Sequence, residues 1–136
     1  MTLYSLTGDE TLREKAQKTV QAFGTTIAKN IFSHIGLLAS AIDIMAPMHL
    51  IIINAENDQE NAQEMIALAK TVSAPNLIIQ LIDETQNIPP TSPAHGKTAQ
   101  DNKSTAYLCT GQHCLAPITI SLSLISAIVQ NIKAKA

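Results

Sequence analysis

Tryptophan is missing from this 136-residue chain, and only two Tyr and two Phe are present. Its core must therefore be built from Ile, Leu, Val, Ala and Met. Binding single-stranded nucleic acid by base stacking needs aromatic platforms, so the scarcity argues against that class. An excess of one charge is lacking too. Nine basic against eleven acidic residues leave −2 at neutral pH, with no basic stripe to follow a phosphate backbone. Apolar runs such as Leu50–Ile53 are far too short to span a bilayer. The first residues lack the basic and apolar regions of a secretory signal. Two cysteines do not make a disulfide framework. The expectation is a cytoplasmic protein with no membrane and no nucleic-acid partner, in which both cysteines are reduced structural thiols.

What is present is a hydrophobic fraction of 46% against 15% charged residues, enough to bury a real core in one domain. At the N-terminus, Thr7-Gly-Asp-Glu10 has the spacing of a capping box. Leu12, Ala16, Val20, Phe23 and Ile27 follow at helical steps, which predicts a helix to about Lys29 or Asn30. Leu37, Leu38, Ala41, Ile42 and Met45 predict a second helix from about Ser33 to Ala46, stopped by Pro47. The two form an αα-hairpin over residues 1–46, and their apolar faces must lie on something.

A small α/β region is expected over residues 47–136. His49-Leu-Ile-Ile-Ile-Asn54 is a β-branched run of strand length, the pattern of a strand buried on both faces. Asn57 and Glu60 suit a helix start, and Ala62, Met65, Ile66, Ala69 and Val72 mark that helix's inner face. Pro75 and Asn76 turn the chain into a second strand, Leu77–Ile82. Strand, helix and strand make a right-handed βαβ unit. Residues 83–104 hold Pro89, Pro90, Pro93 and Gly96 and read as a long loop, either mobile or functional. A third strand follows over Thr105–Cys109, with Gly111 turning the chain. Ile118-Thr-Ile-Ser-Leu-Ser-Leu124 alternates as a strand would. Yet Ile118, Leu122, Ile125, Val129 and Ile132 continue at helical spacing, which favours a last helix capped by Thr119 or Ser121, with Lys133 and Lys135 at its negative end. The fold class is thus α/β: an N-terminal αα-hairpin, then a three-stranded parallel Rossmann-like sheet of order 2-1-3, flanked by helices.

Several residues could carry chemistry. Cys109 and Cys114 are too widely spaced for the usual redox pair, although a turn could bring their sulfurs together as a disulfide or thiol switch. A zinc site would add His113 and a distant ligand such as His95, and these spacings match no standard set. His34 and His49 open a helix and a strand. No nucleophile is patterned with a His and an acid. In an open parallel sheet, ligands sit beyond the carboxyl ends of the strands. Asn54, Glu56, Cys109, Thr110 and Gly111 would line that crevice, with Asp83 and Glu84 ending the neighbouring strand. Asn54-Ala-Glu-Asn-Asp58 lacks the glycines a pyrophosphate needs. From the residues alone, no catalytic group, cofactor or metal is assigned.

Thr105-Ala-Tyr-Leu-Cys109, with Cys114 and Pro117, resembles the C-terminal signature of the long thioredoxin-domain family that includes the spermatogenesis-associated thioredoxin-like protein. Leu6-Thr-Gly-Asp9, Leu38-Ala-Ser-Ala-Ile-Asp43 and Gly96-Lys97 also resemble stretches of that family. Its members carry a thioredoxin-like domain, then an (α/α) six-hairpin barrel like that of sugar epimerases, then a small α/β piece. Where the family often has an acidic cap for its last helix, this chain has Ile120, Ser121 and Leu122. The resemblance implies that the family's thioredoxin-like site and its sugar-epimerase-like barrel lie upstream of this chain, which would be a non-catalytic C-terminal structural or interaction module. Its partners would be those upstream domains, with self-association through the uncovered hairpin.

Overall fold

A computed structural model describes residues 2–45, 47–74, 76–111 and 113–134. The predicted helix end at Ala46, the turn at Pro75 and the position of Lys135 lie outside these residues. Helices α1 (Thr2–Thr7), α2 (Glu10–Ala22), α3 (Gly24–Lys29) and α4 (Ile35–Met45) precede strand β1 (Met48–Asn54). Helix α5 (Gln59–Thr71), strands β2 (Leu77–Asp83), β3 (Thr105–Thr110) and β4 (His113–Cys114), and helix α6 (Ser121–Lys133) complete the chain. The strands form one four-stranded sheet of order β2-β1-β3-β4.

β1 runs parallel to β2, pairing Met48 with Leu77 and Asn54 with Asp83. It runs antiparallel to β3, pairing Ile53 with Thr105 and Met48 with Thr110. The expected neighbours and their order are present, but the third strand is reversed and a short fourth strand is added. The reversal follows from the connection. A parallel third strand requires the chain to cross back to the other end of the sheet, normally through a helix. Residues 84–104 contain no helix. The chain leaves β2 beside Asn54 and re-enters the sheet opposite Ile53, at the same end.

The β-branched run of β1 is buried on both faces, as its pattern demands, but two different covers do this. On the front face, Met48, Leu50 and Ile52 join Ala106 and Leu108 of β3. They pack on Ala62, Met65 and Ala69 of α5 and on Leu124 and Ile128 of α6. On the back face, Ile51, Ile53 and Ile82 pack with Ala94, flanked by Ile88, Ala99 and Tyr107. The Pro-rich segment is therefore a strap across the sheet. It is a chain of turns closed by Ser92 N–H to Pro89 O (2.9 Å), His95 N–H to Ser92 O (3.0 Å) and Lys97 N–H to Ala94 O (3.1 Å). Asp101 and Asn102, at φ 52° and 56°, make its last turn, the left-handed geometry that Asp and Asn tolerate best.

Side-chain hydroxyls pin the strap to the helix entry. The buried Ser104 hydroxyl donates to Asp58 O (2.7 Å) and accepts from Ala55 N–H (3.1 Å), while Ser104 N–H donates to Asp58 Oδ2 (2.8 Å). Asp58, not the expected Asn57, is the N-cap of α5, and its carboxylate accepts from Ser104 N–H and the Asn61 side chain rather than from a backbone N–H of the helix. Ile118 bridges Ala106 in extended form. α6 begins only at Ser121, so the alternating stretch is part extended and part helix.

The N-terminal helices depart from expectation in detail. Asp9 caps α2, accepting from Thr11 N–H (2.9 Å) and from the Thr11 hydroxyl (2.8 Å). These bonds hold its carboxyl below the usual range. Thr7 instead donates to Leu3 O and closes α1. The single helix expected to Lys29 is interrupted at Phe23–Gly24. α2 and α4 touch, and α1 touches β2. At Gly8, with φ +73°, an added Cβ would overlap the carbonyl oxygen of Thr91 in the strap.

Candidate functional site

The β3–β4 hairpin gathers both cysteines. Thr110 pairs with His113 and Cys109 with Cys114, so the turn is the minimal one and begins at Gly111. Its φ of +57° is the left-handed value that two-residue hairpin turns require. Gly111 N–H donates to Pro47 O (3.3 Å), and the Thr110 hydroxyl donates to Asn131 Oδ1 (3.1 Å) on α6. The turn is thus anchored from the start of β1 and from the last helix.

Cys109 and Cys114 are joined by a disulfide, with Cα atoms 3.9 Å apart. This corrects the expectation of two reduced structural thiols. Five residues of separation in sequence become direct opposition once a tight turn folds the segment on itself. The two residues are unequally placed: Cys109 is 5% exposed, whereas Cys114 is exposed.

His49 lies directly opposite Cys109 on β1. Paired residues of adjacent strands share a face, so His49, Cys109 and Cys114 occupy the back face near the Met48 end of the sheet. The His49 imidazole is half-buried, and burial lowers its pKa from the ordinary histidine value. Its buried Nε2 has no hydrogen-bond partner. Sequence spacing could not single out His49, because the pairing that places it beside Cys109 crosses the chain.

The other predicted site residues are dispersed. His113 pairs with Thr110 on the opposite face from Cys114 and is exposed. His95 sits in the strap, its Nδ1 3.2 Å from Ile88 O. His34 Nδ1 lies 2.9 Å from Asn30 O. Among the described residues, no group of three or more His, Cys, Asp or Glu could hold a metal ion. The expected crevice is divided as well. Because β3 is antiparallel, Cys109, Thr110 and Gly111 lie at the amino end of β1, across the sheet from Asn54 and Glu56. At the carboxyl ends of β1 and β2 there is a cavity of about 290 Å³ lined by Asn54, Glu56, Gln59, Asp83, Glu84 and Thr85. Asn54 Nδ2 donates to Asp83 Oδ1 (2.8 Å), and Asn54 Oδ1 is buried without a partner. The three carboxylates make this cavity hostile to phosphate.

No family model, curated protein or solved structure matches the chain. Among the described residues, no helix is long and apolar enough to cross a membrane.

Proposed function

We propose that this chain is a non-catalytic structural and interaction module, of the kind that ends the thioredoxin-domain, six-hairpin-barrel family, and that its N-terminal helices are the contact surface. One observation carries the reading. Apolar side chains on and between these helices face solvent: Phe32, in the α3–α4 connection, is 88% exposed, and Phe23, Ile31, Ile35 and Leu38 are exposed as well. Apolar side chains exposed in such number over one segment suit a place where another protein sits. By contrast, the central strand β1 has both faces covered. The occupant that fits is an α-helical barrel wall, whose apolar helix faces would pack on α2 and α4 ridge into groove. The block Thr105–Cys109 with Cys114 and Pro117 supports the same reading.

Isothermal titration of the chain against a separately expressed six-hairpin barrel from that family tests it. Saturable binding is expected with the native chain and is abolished by Phe32→Asp together with Ile35→Asp. Both positions are exposed, so the variant keeps its circular dichroism spectrum. A folded native chain that gives no heat with the barrel sinks the proposal.

A further inference from the structure

Thiol–disulfide exchange proceeds by attack of a thiolate on one sulfur while the other leaves, and access decides which sulfur is attacked. In this hairpin the two cysteines differ in exposure. Cys114 is exposed on the two-residue edge strand β4, whereas Cys109 is covered within β3. The covered sulfur has a polar neighbour. His49, its directly paired residue on β1, holds a buried ring nitrogen that nothing satisfies. A buried polar atom without a partner is destabilising, so its retention on the residue paired with a disulfide cysteine asks for an explanation. A disulfide sulfur offers such a nitrogen at most a weak acceptor, but a thiol also offers it an S–H donor.

We propose that Cys109–Cys114 is a thiol–disulfide exchange site for a dithiol reductant, entered at the Cys114 sulfur, with His49 as the positioning residue that receives the released Cys109 thiol. The reductant's thiolate attacks Cys114 Sγ, and a new S–S bond forms as the Cys109–Cys114 bond breaks. The electron pair leaves on Cys109 Sγ, which takes up one proton and donates its S–H to the His49 nitrogen. The reductant's second thiol, once ionised, then attacks its own bridged sulfur and expels Cys114 as a thiolate. The balance is two protein thiols and an oxidised, disulfide-form reductant, with two electrons transferred. Oxidation by a disulfide runs the same steps in reverse. The turn remains anchored throughout by Gly111 N–H on Pro47 O and Thr110 on Asn131, neither of which involves sulfur.

The test uses the full chain with dithiothreitol as the reductant and no denaturant. Both thiols are expected to be released with the fold intact. In Cys109→Ser and Cys114→Ser chains challenged with glutathione disulfide, the thiol left at 114 is expected to form a mixed disulfide at least about tenfold faster than the thiol left at 109, since reactivity follows exposure and thiolate access. His49→Phe is expected to slow reduction of the native pair by about fivefold, an effect on the order of one lost hydrogen bond. His49→Gln, which keeps a hydrogen-bonding group, restores the rate, and His113→Ala leaves it unchanged. A purely structural role for His49 would lower the melting temperature of His49→Phe without this split between Phe and Gln. The proposal is overturned if the disulfide resists dithiothreitol until the chain unfolds, or if positions 109 and 114 react equally. The His49 role is overturned if Phe and Gln variants reduce at the native rate.

Discussion

Ser104 shows how much one hydroxyl can hold. Its oxygen serves Ala55 N–H and Asp58 O, joining the end of the strap to the turn that enters α5. Ser104→Ala leaves the buried Ala55 N–H without a partner and should cost about 1–3 kcal/mol of stability, read from urea unfolding midpoints. His49 is the second residue whose role is set by surroundings. Its register partners are Ile78 and the disulfide-bonded Cys109, neither of which ionises. Burial lowers its pKa, so the unfolded chain takes up the proton first as pH falls. Stability from this group is complete above about pH 6.5, the ordinary histidine value, and declines as pH drops toward the lower folded pKa. His49→Gln should flatten that part of a stability-against-pH curve; an unchanged slope would show that other groups cause it. None of this was visible in sequence. His49 is one of four histidines there, and Ser104 closes an apparently shapeless loop.

At the scale of elements, local patterns were informative about identity and silent about direction. The β-branched run at Ile51–Ile53 marks a strand covered on both sides, and that is what β1 is. The same run cannot report whether a neighbour is parallel, because burial on two faces can come from helices on one side and a strap on the other. The direction of β3 was decided by the absence of helix in residues 84–104, a feature the prolines did display. Turn chemistry was legible at Gly111, while the register that sets Cys109 against Cys114 was not. Gly8 is the corresponding case for the helical segment. Its left-handed φ and its approach to the Thr91 carbonyl leave no room for a methyl group. Gly8→Ala should cost about 1–3 kcal/mol and loosen α1 from the strap. Hydrogen exchange should show that loss in α1 and residues 88–95 and spare β1.

For the molecule as a whole, stability rests on the two-sided core around β1, not on sulfur. The disulfide closes a very short loop, so opening it should remove about 2 kcal/mol. Reduced protein, or a Cys109→Ser chain, should therefore melt at a lower temperature but keep its far-ultraviolet circular dichroism spectrum. Global unfolding on reduction would mean that the hairpin, not β1, organises the fold. The α/β character and the inner face of α5 at Ala62, Met65 and Ala69 could be read from periodicity alone, whereas the stripe read for α6 ran through Leu122, which is 69% exposed, and missed the buried Leu124 and Ile128. The back face could not, because its cover has no period to detect.

The placement of β3 also dictates a timetable. β1, α5 and β2 emerge before the strap does, yet the strand that flanks β1 on its other side, and half of its helical roof, follow only after it. A ribosome-bound nascent chain ending before Thr105 would leave the central strand with one open flank. Its closure therefore waits until Thr105–Thr110 and Ser121–Lys133 have followed the strap out.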